Sequence, residues 1–338
     1  SAALGDRRGS VVALDPRSGG VLAMVSNPGY DPNLFITGMT SEQYSELSHA
    51  VYKPLFNRAV NGQYAPGSTF KPVVGLAGIV EQAVTWEETI EDRGFFRLPG
   101  QARMYRDWSW APGNSGGQGT VDLHRAIYRS SNVFFYDLAT RMPVQRLVDF
   151  AAQFGFGQVT SIDVADASAG LLPDPIWKRG YKGEIWYPGD SINIGIGQGD
   201  MLVTPLQMAT VAATIANRGR LVRPRMLLSS DAPLPEADPP PPWPPVQGPS
   251  PQDWELMVDA MEDVVHRGNQ GFRGNGTAWA YIGRDIAYRM AGKSGTAQVV
   301  GIPQGEQYEE EELEEFQRKH AWFIAFAPAD DPAIALAV

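Results

Sequence analysis

The 338-residue chain has no cysteine and only four histidines. The first absence removes disulfides, thiolate nucleophiles and cysteine metal ligands together; a cysteine-free chain suits any compartment and so assigns none. His49, His124, His266 and His320 form no His-x-His or His-x-x-x-His pair, so each reads as a structural residue rather than a metal ligand. Basic blocks are also missing and the formal net charge is −10, which argues against nucleic acid as a partner because nothing would neutralise a phosphate backbone. The apolar run at residues 73–80 is far short of the roughly 20 residues that cross a bilayer.

What is present is a hydrophobic content of 43%, enough for a large core, in a length that allows roughly two domains. Residues 9–16 and 21–26 read as strands joined by a turn at Arg17-Ser18-Gly19-Gly20, a hairpin. A helix is expected over residues 69–82, apolar almost all round and therefore buried. Residues 85–119 lack periodicity and read as a long excursion, followed by helices over 120–129 and 133–141 with Ser130 and Asn132 between them. Gly195-Ile196-Gly197-Gln198-Gly199 lacks the lysine and spacing of a phosphate loop, so a close-packed turn is expected, leading to a helix that starts at Thr204-Pro205. A proline-rich connector spans 231–251, a helix 251–267, strands 297–300 and 320–328, and an acidic solvated loop 309–315. Both ends read as cut from a longer chain, with an apolar strand-like run at 333–338, so any targeting segment would lie outside it.

Three short motifs carry the chemistry. Ser68 precedes Lys71 by three residues in Ala65-Pro66-Gly67-Ser68-Thr69-Phe70-Lys71-Pro72, a spacing that at a helix start puts hydroxyl and amine on one face. Ser130-Ser131-Asn132 and Lys293-Ser294-Gly295-Thr296 follow in that order. A serine hydroxyl needs a proton acceptor near neutral pH, and Lys71 can serve only if neutral; burial and a neighbouring cation, Lys293, would both lower its pKa. Ser130 can bridge the lysines and relay a proton, and Asn132 offers an amide donor and acceptor to a peptide bond. Ser191-Ile192-Asn193 competes for that second role but lies in a strand-like alternation. Lys293 and Ser294 would line the cleft edge for a substrate carboxylate, Gly295 would let an acyl group approach, and the Thr296 and Ser68 N–H groups could form an oxyanion hole. Together these describe serine acyl transfer.

On these motifs the chain resembles the transpeptidase domain of class B penicillin-binding proteins. Asn57-Arg58-Ala59, Tyr105-Arg106-Asp107-Trp108 and Tyr187-Pro188-Gly189-Asp190 are similar to the rod-shape group, penicillin-binding protein 2. The resemblance covers most of the chain, least at 232–252 and 303–319. It implies an α/β (α+β) penicillin-binding/β-lactamase-like transpeptidase fold: a five-stranded antiparallel sheet flanked by helices, built from about 1–60 and 280–338, with a mainly helical part at about 68–230. It also implies a serine D,D-transpeptidase. Ser68 would attack the D-Ala-D-Ala bond of a donor stem peptide, a diamino-acid amine would resolve the acyl-enzyme, and β-lactams would stall it. The implied setting is the periplasm of a bacterium. A single N-terminal membrane anchor and a pedestal domain would precede the chain, and a SEDS-family membrane glycosyltransferase and rod-complex proteins would be its partners.

No cofactor is expected. Some relatives bind zinc through two Asp, a His and a Cys near the second motif. Here Asp92 and Asp107 resemble the carboxylates, but Ser131 stands at the cysteine position and no histidine closely follows Trp108, so no metal is expected. Ser294 replaces a threonine common in relatives and keeps the hydroxyl. Two rival activities share the acylation machinery: a β-lactamase or D,D-carboxypeptidase, for which residues 160–185 offer only Glu184 as a water-positioning acid, and a non-catalytic β-lactam receptor.

Overall fold

The computed structural model describes residues 3–110, 116–164, 166–228, 242–271, 273–297 and 318–338. Nine strands are described: β1 Gly9–Leu14, β2 Val21–Asn27, β3 Ile90–Asp92, β4 Phe95–Phe96, β5 Tyr105–Arg106, β6 Gly119–Val121, β7 Ala291–Ala297, β8 His320–Ala327 and β9 Ile334–Ala337. Five of them form one antiparallel sheet in the order β2-β1-β9-β8-β7, drawn from the two ends of the chain, as the resemblance implied. The β1–β2 hairpin turns as expected: Asp15 Oδ1 accepts from Arg17 N at 2.9 Å, the Asp15 carbonyl accepts from Gly19 N at 2.8 Å, and Gly19 takes φ +75°. Val12 and Leu14 alternate inward and are fully buried.

Two capped helices pack on the sheet. Pro205–Ala216 is buried at every residue and packs against β1, β8 and β9. A capping box between Thr204 and Gln207 starts it, with proline at its first position. Pro251–His266, started by a Ser250–Asp253 box, packs against β7 and the helix Leu123–Tyr128. Among the described residues no helix is long and apolar enough to cross a membrane.

Several expected boundaries move for local reasons. The segment read as one helix over 69–82 is a 3-10 turn, Gly67–Phe70, followed by the helix Lys71–Val80, whose residues 71–78 are all buried. The helix expected from 120 starts at Leu123: Gly119–Val121 pairs with β3, and the Asp122 side chain caps the helix by accepting from Arg125 N at 2.7 Å. The 85–119 excursion contains two small two-stranded sheets, β3-β6 and β4-β5. Ser191-Ile192-Asn193 is helical, within Pro188–Ile194, because Pro188 and Asp190 begin a helix that short-range alternation concealed. The strand expected at 297–300 is the end of β7; residues 298–300, the acidic 309–315 loop and 231–241 of the proline-rich connector lie outside the described residues.

The glycine-rich 195–199 turn proves to be a seat for the nucleophile turn. Gly67 N donates to the Gly197 carbonyl at 2.8 Å, and both residues hold positive φ, +55° and +70°. A Cβ on Gly197 would sit 2.2 Å from the Gly67 carbonyl oxygen, so only glycine fits. Gly197→Ala is therefore expected to lower the free energy of unfolding by about 2–4 kcal/mol, read from urea melts; a loss under about 0.5 kcal/mol would show that the contact is not tight.

Candidate active site

The three motifs converge from separate parts of the fold on one cleft of about 690 Å³. Its lining includes Ser68, Ser130, Asn132, Ser294, Gly295 and Thr296. Ser68 comes from the 3-10 turn, Lys71 from the first turn of the following helix, Ser130 and Asn132 from a helix–helix junction, and Lys293 to Thr296 from the sheet edge β7. The nucleophile turn packs directly on β7: a Cβ on Gly67 would lie 2.6 Å from the Thr296 carbonyl oxygen, and one on Gly295 would lie 3.0 Å from Thr69 N. The absence of a side chain at Gly295 thus lets the 66–69 turn pack on the strand, and Gly295 itself lines the cleft. Among the described residues the Ser68 hydroxyl makes no hydrogen bond, and it is half-buried on the cleft floor.

The centre of the site is Ser130. Its Oγ accepts from Lys293 Nζ at 2.9 Å and lies 3.4 Å from Lys71 Nζ, while its carbonyl accepts from Lys71 Nζ at 2.8 Å. Lys71 Nζ also donates to Asn132 Oδ1 at 2.7 Å, and Lys293 Nζ to the Ser294 carbonyl at 2.8 Å. The acceptor of Asn132 is therefore engaged by lysine, leaving its NH2 as the group it can offer a ligand. Lys293 is fully buried rather than placed as a cation on the cleft edge, which corrects the reading from sequence. At the edge the Ser294 hydroxyl pairs with Thr277 Oγ1 at 2.9 Å, and Gln198 Nε2 donates to the Thr296 carbonyl at 3.2 Å. Thr277 carried no sequence signal, being a single polar residue in an irregular segment, and Gln198 lay within a glycine run read only as a close-packed turn.

Both lysines are 0% exposed, and desolvation disfavours the charged form of each. Burial brings Lys71 down to about 7, against the opposing pull of the Asp107 and Asp92 carboxylates. Burial and then the Lys71 charge push Lys293 well below the usual lysine range. The expected cation effect therefore falls on Lys293 rather than on Lys71, which owes its shift to burial. A neutral Lys71 has two N–H bonds, matched by the Ser130 carbonyl and Asn132 Oδ1, and one lone pair left to accept a proton.

Ser130 does not sit freely between helices. It holds φ +57°, unusual for a residue with a side chain. Ser131 is the N-cap of Asn132–Arg141, accepting from Phe134 N at 3.2 Å, and Asn132 is already the first helical residue. The left-handed turn is what aims the Ser130 carbonyl and hydroxyl at the two amines together.

The model of the penicillin binding protein transpeptidase domain matches residues 9–338. The chain belongs to this family. It is 41% identical over 336 residues to the peptidoglycan D,D-transpeptidase MrdA of Acinetobacter baumannii, covering 99% of the chain and 48% of that protein. The chain thus spans about half the length of that curated relative. Among solved structures it is similar to Pseudomonas aeruginosa penicillin-binding protein 2 in complex with WCK 5153, with TM-score 0.87, 42% identity, and coverage of 99% of the chain and 67% of that structure. Helicobacter pylori penicillin-binding protein 2, in complex with MreC, superposes with TM-score 0.82 at 29% identity, covering 99% of the chain and 56% of that structure. All three motifs, from Ser68 to Thr296, lie within the matched residues.

Two measurements test the geometry. The Lys71 side-chain carbon-13 resonance, assigned by its loss in Lys71→Arg, is expected to titrate with a midpoint of about 7, and Asp107→Asn to move that midpoint lower by removing a carboxylate that raises it; a midpoint near 10.5, the ordinary lysine value, would contradict the burial argument. Ser130→Gly is expected to be more stable than Ser130→Ala by about 1 kcal/mol in denaturant melts, because glycine holds the left-handed turn without strain.

Proposed function

We propose that the chain is the catalytic domain of a peptidoglycan D,D-transpeptidase that works through a Ser68 acyl-enzyme. The observation that carries this reading is the Ser130 hydroxyl set between two fully buried lysine amines at the foot of the cleft that Ser68 lines. Ser68 Oγ attacks the carbonyl of the penultimate D-alanine of a donor stem peptide, and its proton passes to the Lys71 lone pair. The N–H groups of Ser68 and Thr296 hold the oxyanion. Ser130 gives its proton to the departing amine, so D-alanine leaves, and the Lys71–Lys293 pair reprotonates Ser130. Asn132 donates its NH2 to the donor peptide, and Ser294 binds the terminal carboxylate. An amine from a neighbouring stem peptide's diamino acid then attacks the ester, Lys71 takes the amine proton, and a new amide forms while Ser68 recovers its hydroxyl. No step calls on a cofactor.

β-Lactams enter the same route as donor mimics, with the ring amide opened by Ser68 and no leaving group lost. The wider setting proposed with it is lateral wall synthesis and cell-shape maintenance in the periplasm, with the chain carried by a single inner-membrane anchor and a pedestal. The Helicobacter pylori relative solved with MreC supports rod-complex partners, and a SEDS-family glycosyltransferase would supply the strands. Two domain parts are assigned with it, a sheet part from about 1–60 and 280–338 and a mainly helical part at about 68–230.

Intact mass after benzylpenicillin exposure is expected to show one penicillin adduct on the Ser68 peptide, stable for hours and absent in Ser68→Ala. An adduct retained in Ser68→Ala would overturn the nucleophile, and release within minutes would favour a lactamase.

A further inference from the structure

Beside the Ser130 turn lie two buried carboxylates that the acylation route does not use, Asp92 and Asp107, 1% and 4% exposed. The family resemblance implies a zinc ion at such a pair in some relatives, and the donor set here does not fit one. Every carboxylate oxygen is already occupied by a proton donor. Asp92 Oδ1 accepts from Gly94 N at 2.8 Å and Oδ2 from Ser131 Oγ at 2.6 Å. Asp107 Oδ1 accepts from Asn132 N at 2.6 Å; Oδ2 accepts from Ser109 N at 3.0 Å, Ser109 Oγ at 2.7 Å and Gln118 Nε2 at 3.2 Å. Gln118 Oε1 accepts from Arg129 Nε at 3.0 Å, which fixes the amide so that its NH2, with no lone pair to give, faces Asp107. Ser131 Oγ spends its proton on Asp92 and a lone pair on Phe134 N. Zinc takes thiolate, imidazole and carboxylate ligands, and a neutral hydroxyl and an amide NH2 do not replace them. Among the described residues no group of three or more His, Cys, Asp or Glu is placed to hold a metal.

We infer that this network is a metal-free clasp that positions the Ser130–Asn132 turn, with Asp107 and Gln118 as its positioning residues. The inference rests on the acylation reading above. The clasp grips both sides of the strained Ser130: Asp92 holds the Ser131 hydroxyl, Asp107 holds the Asn132 N–H, and Gln118 ties Asp107 to Arg129, the residue before Ser130. A left-handed serine persists only where its surroundings over-determine it. Asp107 also places its carboxylate at the N-terminus of Asn132–Arg141, where orphan N–H groups and the helix dipole favour it. Gln118, Arg129 and Ser131 are each at most 3% exposed, so the donors that hold the two carboxylates are not traded for water.

The test is the rate constant of acylation by a fluorescent penicillin at about pH 9, above the Lys71 titration, so that the amine is neutral in every variant; Gln118→Met, which leaves both carboxylates in place, separates positioning from the change in base strength that Asp107→Asn brings. Asp107→Asn puts an N–H against donors on one side whichever way the amide turns, and is expected to slow acylation about 10- to 100-fold. Gln118→Met, which keeps the side-chain volume, is expected to act in the same direction and decides the matter if Asp107→Asn does not fold. The double variant Asp107→Asn/Gln118→Glu rebuilds the 107–118 bond with its polarity reversed and is expected to recover part of the rate, which a loss of stability alone would not. Elemental analysis of the chain dialysed from zinc is expected to find no stoichiometric metal, and chelator to leave the acylation rate unchanged. Wild-type rates in both single variants, or no recovery in the double variant, would overturn the positioning role; a stoichiometric zinc whose removal slows acylation would overturn the metal-free clasp. Failure of the Ser68→Ala test would instead strike the acylation reading, so the two failures are separable.

Discussion

Two ammonium groups cannot both stay charged in one dry pocket, and the site is organised around that constraint. Lys71 and Lys293 are both fully buried, and both reach toward Ser130 Oγ, at 3.4 and 2.9 Å. At physiological pH such a pair releases protons it would hold in water, so the protein keeps a basic amine in place without a histidine. The cost is that the lysines must be walled in on all sides. The wall is made by the helix Lys71–Val80, the helix Asn132–Arg141 and the edge strand β7, three elements distant in sequence.

That demand explains why the sheet draws strands from both chain ends. β7 occupies the sheet edge beside the cleft, and β8 holds its register, with Lys293 opposite Ile324 and Thr296 opposite Ala321. The helix Pro251–His266 backs β7, and the Gly197–Gly67 contact presses the nucleophile turn into position from the other side. Glycine at 67, 197 and 295 lets three backbone segments approach to distances that a Cβ would forbid, which places Ser68 against a strand rather than in a loose loop. A nucleophile held by backbone contacts loses little further freedom when it reacts.

The sequence was readable where chemistry and local pattern agreed. The hairpin Asp15–Gly20 turn, the buried helices after Lys71 and Pro205, and the motifs at Ser68, Ser130 and Lys293 all come together as one cleft because each has its own local signal: turn glycines, a cap, or fixed spacing. It was not readable where tertiary pairing decides. Nothing local shows that Gly119–Val121 pairs with β3, that the 191–193 alternation belongs to a helix, or that Gly295 faces the 66–69 turn. Gln118 and Thr277 were invisible for the same reason: a single amide or hydroxyl gains meaning only from partners up to 17 residues away in the chain, at Asp107, Arg129 and Ser294.

The Asp92–Asp107 pair shows how finely the opposing fields are set. Burial alone would drive Lys71 far down, and these two carboxylates pull it back to about 7. A carboxylate in direct contact with the amine would hold it protonated, with no lone pair left to accept a proton. Instead the lysine touches only neutral acceptors, the Ser130 carbonyl and Asn132 Oδ1, while the Asp107 charge reaches it across Asn132, whose N–H the carboxylate binds. The hydrogen bond that fixes the turn is thus also the spacer that keeps an anion near the base without neutralising it, so geometry and proton affinity at this site rest on the same few atoms.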